Sequence, residues 1–342
     1  MSDHDCRHHG AIDLHTHVVP AQFPAYAGRH QGVAWPSMKY SSACEADIII
    51  GGRGFRALDD RSWEVSRRLD AMDAAGIDRQ VLSPMPELLS YWFPPEDAEV
   101  FADHVNGMIA DMIAQAPQRF TGLGMVPLQD LERAIRCLET LVRERGFAGV
   151  EIGSHIAGTP IGDPSLDPFF EAAESLSAAV FVHALHPIGR ERLVGPAMLA
   201  AALLFPCDVG LAAASTITGG LLERRPRLRL AFSHGGGAFG LLLPRLAHVW
   251  ASAPEIQASI ARDPRELARR LWFDSLVYDR DTLAFLIGKF GIDRLILGSD
   301  FPFQIHDPDP VGRIDALGLE PADAHRLAHA NAVAFLGLDS GG

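Results

Sequence analysis

In the run DLHTH, His15 and His17 are separated by a single residue. On an extended chain that spacing turns both imidazoles to one face, where they can chelate the same cation. Taken alone, the pair reads equally well as two exposed or hydrogen-bonded histidines at a strand end. Three more polar residues each close an apolar run: His183 in AVFVH, His234 in LAFSHGGG and Asp300 in LILGSD. Each by itself has an ordinary explanation, a buried hydrogen-bonded histidine or a helix-capping aspartate. Together, four strand-end sites carrying imidazoles and a carboxylate point to a metal centre with acid–base chemistry beside it.

Positioning such a set needs rigid supports, and the chain supplies eight short β-type runs. They are AIDLH (11–15), RQVLS (79–83), FTGLGMV (120–126), FAGVEI (147–152), AVFVH (179–183), LRLAFSH (228–234), LWFDSL (271–276) and RLILGSD (294–300). Longer helical patterns separate them, among them SWEVSRRLDAMDAAG and LERAIRCLETLVRERG, which is the signature of parallel strands joined by crossover helices. The expected architecture is α/β, a distorted (β/α)8 TIM barrel with its active site at the carboxyl ends of the strands. The segment 18–60 breaks the rhythm. Its ADIIIGGRGFRAL stretch reads as a hairpin, so it is expected to be a small cap inserted after strand one.

The chain has 342 residues and 37.0 kDa with no composition break, and a single barrel over 1–342 is expected. A net charge of −13 and no tract of Lys and Arg argue against nucleic acid, so an anionic substrate would need a local basic site. The four cysteines, Cys6, Cys44, Cys137 and Cys207, are scattered and suggest a reducing, cytoplasmic setting. MSDHDCRHHG lacks the apolar stretch of a signal peptide. PAMLAAALLFP, the most apolar run, is too short to span a bilayer and is expected to be a buried helix, with no membrane partner.

DLHTH, VPLQDLERA, FVH, FSHGGGAF and LGSDFPF, in this order, resemble the amidohydrolase superfamily. Within it the chain looks most like the aminocarboxymuconate-semialdehyde decarboxylase-like branch, from about residue 11 to 337. The resemblance implies one divalent ion, zinc in the usual case with manganese as the alternative, held by His15, His17, His183 and Asp300. It also implies an acid–base role for His234, shared with Asp300. Binuclear members bridge their ions with a carboxylated lysine at the end of strand four, whereas the only lysines here are Lys39 and Lys289. One ion is therefore expected. Glu151 is either a bridging carboxylate or a strand residue behind the ligands.

Two departures bear on the pocket. HALHP stands where the family has proline directly after the strand-five histidine, which makes His186 a rival to His183 as ligand or else a substrate contact. His183 is preferred because it ends the strand. No Trp occurs between His183 and His234, where the decarboxylases carry one. In GGRGFR, the resemblance assigns Arg56 and Arg53 to a small anionic carboxylate substrate, although two arginines in a polar hairpin are otherwise simply solvated. Arg245 matches an arginine that reaches across a dimer interface, which implies a homodimer. His4, His8 and His9 read as a flexible tail.

The implied activity is a metal-dependent, non-oxidative decarboxylation of a small unsaturated or aromatic (di)carboxylic acid. A hydratase or hydrolase using the same ion is the alternative, and a non-catalytic barrel with a structural metal or a bound acid ranks below both.

Overall fold

The computed structural model describes residues 10–338, so Cys6 and the histidines at 4, 8 and 9 lie outside the described residues. The eight apolar runs become eight parallel strands: Ile12–Val18, Arg79–Pro84, Phe120–Gly124, Gly149–Gly153, Ala179–His183, Arg229–Phe232, Trp272–Asp274 and Leu295–Ile296. They are hydrogen-bonded in that order. The eighth returns to the first through Leu14 N–H to Leu297 O (2.9 Å) and His17 N–H to Phe301 O (2.7 Å), which closes a (β/α)8 barrel.

Local chemistry sets the helices between them. Asp130 caps Leu131–Arg143 by accepting from Arg133 N–H at 3.1 Å, and Asp279 caps Arg280–Phe290 in the same way. Pro95 opens the long helix Pro95–Gln115, where its missing N–H is not needed. Inside the barrel, Ile12, Leu14, Val81, Leu123, Phe181, Ala231 and Ile296 fill the centre, with Phe335 and Leu336 of the last helix packed against them. The site therefore stands on a solid apolar floor.

Within 18–60, Ser37–Tyr40, Glu45–Ile50 and Arg53–Asp59 form a three-stranded antiparallel sheet apart from the barrel. Gly51 and Gly52 make its second turn with φ of 57° and 75°, the left-handed values that a two-residue hairpin demands.

PAMLAAALLFP departs from the expectation of a buried helix. It leads into the 20-residue helix Leu199–Thr218 and forms its first half, with Met198 61% and Leu203 54% exposed. The whole helix is long and apolar enough to cross a membrane by length and composition, and 44% of that stretch is buried. Burial is concentrated in the later turns, where Val209, Ala213 and Ile217 are covered and Asp208 accepts from the Ser154 hydroxyl. The earlier turns border a cavity and solvent instead of a packed neighbour.

Candidate metal centre

A register defect aims the first two histidines. Strand one pairs Ile12 with Arg79 and Asp13 with Gln80, then Thr16 with Leu82, so three residues advance against two. The extra residue is a β-bulge, which bends a strand and redirects its side chains. Ile12 and Leu14 pack in the barrel centre, and within and just after the bulge it is His15 and His17 that converge with His183 and Asp300.

One ligand atom from each of His15, His17, His183 and Asp300 lies within 4.8 Å of the others, and all four residues are buried. His15 Nε2 is 3.1 Å from His17 Nε2 and 3.4 Å from Asp300 Oδ1, and His17 Nε2 is 3.1 Å from that same oxygen. His183 Nε2 and Asp300 Oδ1 have no hydrogen-bond partner. Buried polar atoms rarely stay unmatched. A divalent cation answers all four at once, and three imidazoles with one carboxylate leave it a further coordination position.

Each ligand ring is held by its other nitrogen. His15 Nδ1 donates to Asp274 Oδ2 at 2.6 Å, His17 Nδ1 to the Pro84 carbonyl at 3.0 Å and His183 Nδ1 to the Ala184 carbonyl at 2.8 Å. These bonds select the tautomer that leaves Nε2 unprotonated and facing the cluster. Asp274 was not singled out in the sequence, where a carboxylate inside the apolar run LWFDSL was the available signal. Gly298 lets it approach: a Cβ there would lie 2.9 Å from the Cβ of both Asp274 and His15.

The electrostatics follow from burial and these contacts. Burial lowers His17 to about 4 and takes His183 well below the ordinary histidine range, so both are neutral at neutral pH. Burial acts the same way on His15, but the neighbouring carboxylates of Asp274 and Asp300 outweigh it and raise His15 to about 10 in the absence of an ion, a proton that a cation at Nε2 would displace. For Asp300 burial pushes upward, and the adjacent imidazoles of His15 and His17 prevail, holding the carboxyl well below its usual range.

His234 stands beside the cluster, its ring centre 5.0 Å from that of His183 and 5.3 Å from that of His15. Its Nδ1 pairs with the Ser233 hydroxyl at 2.8 Å, and burial lowers it to about 4. The following glycines are required by more than a tight turn. Gly237 has φ of 55°, and a Cβ on it would fall 1.9 Å from the Pro206 carbonyl oxygen. Glu151 stays out of the cluster. It accepts from Ser83 Oγ at 2.5 Å, lies 3.6 Å from His17 Nδ1 and is raised to about 8 by burial.

Arg56 reaches the centre through an aromatic relay. Its guanidinium lies 4.0 Å over the Phe303 ring, which in turn stacks on His17 with centres 4.9 Å apart. Phe303 and Phe205, the latter 6.3 Å from both His183 and His234, border a cavity of about 440 Å³. Arg56, Glu87 and Arg190 also line it. A second cavity of about 490 Å³ is lined by Arg53, Trp92, His186, Phe55 and Glu87.

His186 is not in the metal cluster. Its φ of 48° turns the chain away after strand five, and its ring stacks on Trp92 at 4.4 Å. Trp92, from the segment after strand two, thus brings an indole to the loop that lacks its own. Arg245 is exposed on the helix Phe239–Ser252 and lines neither cavity. Glu87, Arg190, Phe205 and Phe303 were missed in the sequence, because nothing local distinguishes them from loop and helix residues.

A family model described as Amidohydrolase matches residues 12–338. Over 331 residues the chain is 36% identical to the 2-amino-3-carboxymuconate-6-semialdehyde decarboxylase of Dictyostelium discoideum, covering 96% of this chain and 92% of that one. Its fold matches the apo form of IDCase from Metarhizium anisopliae with a TM-score of 0.83 at 23% identity, over 96% and 97% of the two chains. It also matches 5-carboxyvanillate decarboxylase from Novosphingobium aromaticivorans, solved with manganese and 4-hydroxy-3-methoxy-5-nitrobenzoic acid. There the TM-score is 0.73 at 26% identity over 82% of each chain.

Proposed function

The chain belongs to the amidohydrolase family, and from that premise we propose that it is a metal-dependent, non-oxidative decarboxylase, a carboxy-lyase acting on a small unsaturated or aromatic carboxylic acid. The observation that carries this reading is the buried His15–His17–His183–Asp300 cluster beside a cavity walled by Arg56. A decarboxylase relative aligned over 96% of the chain supports it.

A divalent cation in this site supplies positive charge beside a substrate oxygen, a sink for the electrons left when carbon dioxide departs. Arg56, fixed over Phe303, holds a carboxylate that is retained. The bond that breaks joins the carboxyl to carbon; its electron pair stays on that carbon, and a proton takes the place of the carboxyl. His234 or Asp300 carries the proton. Phe205 and Phe303 keep water from the reacting carbon.

Zinc is the resident ion in this reading, with manganese as the alternative, since three imidazoles and one carboxylate suit both. The chain works as a cytoplasmic homodimer. Leu241, Leu242 and Val249 are exposed on the helix that carries Arg245, and Leu203 and Leu211 on the adjoining helix, an apolar face suited to a second copy.

The test is a screen of unsaturated and aromatic dicarboxylates with metal-loaded protein, following ultraviolet absorbance and carbon dioxide. Release of carbon dioxide with the remaining skeleton intact is expected. Addition of water without carbon loss would replace the reading with a hydratase.

A further inference from the structure

Resting on the decarboxylase reading, we propose that Glu87, which lines one cavity together with Arg56 and Arg190, forms a specificity subsite that selects an amino or hydroxyl substituent next to a retained substrate carboxylate.

Glu87 sits in the 3-10 turn Pro86–Leu89 directly after strand two. Proline at its start, the buried Leu88 and Leu89, and a left-handed Ser90 (φ 51°) leave the turn little freedom. Only 8% of the residue is exposed, and its Oε2 is buried without a hydrogen-bond partner. An unmatched buried carboxyl oxygen costs stability, so an apolar side chain would be the cheaper choice if this wall served packing alone. Such a cost persists where a ligand removes it.

Position says which ligand. Glu87 and Phe55 line both cavities, so a molecule spanning the Arg56–Arg190 side and the Trp92–His186 side would have the Glu87 carboxyl as a shared polar wall. Arg56 and Arg190 have no ion-pair partner among the described residues. Two guanidiniums and one carboxyl thus share the wall of one cavity. A substrate carboxylate satisfies the arginines, and an N–H or O–H beside it satisfies Glu87. A second carboxylate in that position would meet like charge. The electrostatics agree: burial raises the Glu87 carboxyl, and the positive charges of Arg56 and Arg190 oppose that rise. A site built to accept a hydrogen bond discriminates strongly against the analogue that lacks the donor.

The experiment is calorimetric binding of isophthalate, 4-aminoisophthalate and 4-hydroxyisophthalate to the zinc-loaded full chain. Wild type is expected to bind the two substituted acids about tenfold tighter than isophthalate, the size of one matched hydrogen bond. Glu87→Leu should bring all three within about twofold, and the isosteric Glu87→Gln should keep part of the preference. Arg190→Gln should weaken all three alike. A preference retained in Glu87→Leu, or absent from wild type while the acids still bind, overturns the subsite and leaves the decarboxylase reading standing. If none of the three binds zinc-loaded wild type, the acid-binding pocket is refuted and the subsite with it. Zinc content and melting temperature, measured on each variant, separate these outcomes from loss of fold.

Discussion

Asp274 Oδ2 accepts the Nδ1 proton of His15 at 2.6 Å, with both side chains fully buried. The same carboxylate accepts the backbone N–H groups of His234 (3.0 Å) and Gly235 (2.7 Å). One residue of strand seven thus holds the His15 ring of strand one and the backbone of His234 that follows strand six. Asp274→Asn keeps the size but removes the charge and can present an N–H toward His15. Metal affinity is expected to fall about 10–100-fold, read by competition with a chromophoric chelator. An unchanged affinity would take Asp274 out of the site's machinery.

His234 and Asp300 should separate in their effects. His234→Ala lies outside the ligand set, so it should keep its metal and lose kcat by about 10²–10⁴-fold with little change in KM. Asp300→Ala removes the one carboxylate of the four-residue cluster, and both metal content and activity should drop. Full activity in either variant would contradict the assigned roles.

Stripping the metal should leave a folded, inactive protein. The apolar barrel centre and the Leu14–Leu297 closure do not pass through the cluster. Far-ultraviolet circular dichroism should be retained after chelation, and activity should return with zinc or manganese. Unfolding in step with metal loss would instead mark the ion as structural.

Arg56 and Arg53 should not be equivalent. Arg56 is half-buried over Phe303, while Arg53 is exposed on the hairpin. Arg56→Ala is expected to raise KM for the acid by about 10–100-fold and Arg53→Ala by only a few-fold, because an exposed charge is screened by water and salt. Equal effects would place the anion between the two.

Backbone geometry after strand six offers a stability test. Gly237→Ala puts a Cβ 1.9 Å from the Pro206 carbonyl oxygen at a φ of 55°. It should destabilise by about 2 kcal/mol or more, seen as a lower Tm. Gly288→Ala, in the helix Arg280–Phe290 with no atom within 4 Å of the added Cβ, should be neutral or stabilise by about 1 kcal/mol.

All eight barrel strands were legible because an apolar run bounded by turn residues is a local property. AVFVH became Ala179–His183 without change, and the capping Asp130 marked its helix at the first residue. PAMLAAALLFP misled for the same reason. Its apolarity is local, but whether it packs against a neighbour or borders a cavity depends on residues far along the chain.

At the site, the sequence by itself determined the donors: imidazoles and a carboxylate at strand ends, with arginines in a hairpin for an anion. Tertiary structure alone decided how they meet. The bulge between Asp13 and Thr16 is a mismatch with a second strand, and a single strand carries no register. Whether His183 or His186 joins the ligands turns on a left-handed φ and a stacking partner, Trp92, from another loop. Asp274 and Glu87 matter only through what barrel closure brings beside them, a carboxyl against His15 and a carboxyl between two cavities. Side-chain chemistry is written residue by residue, whereas proximity across a closed barrel is set by all eight strands together.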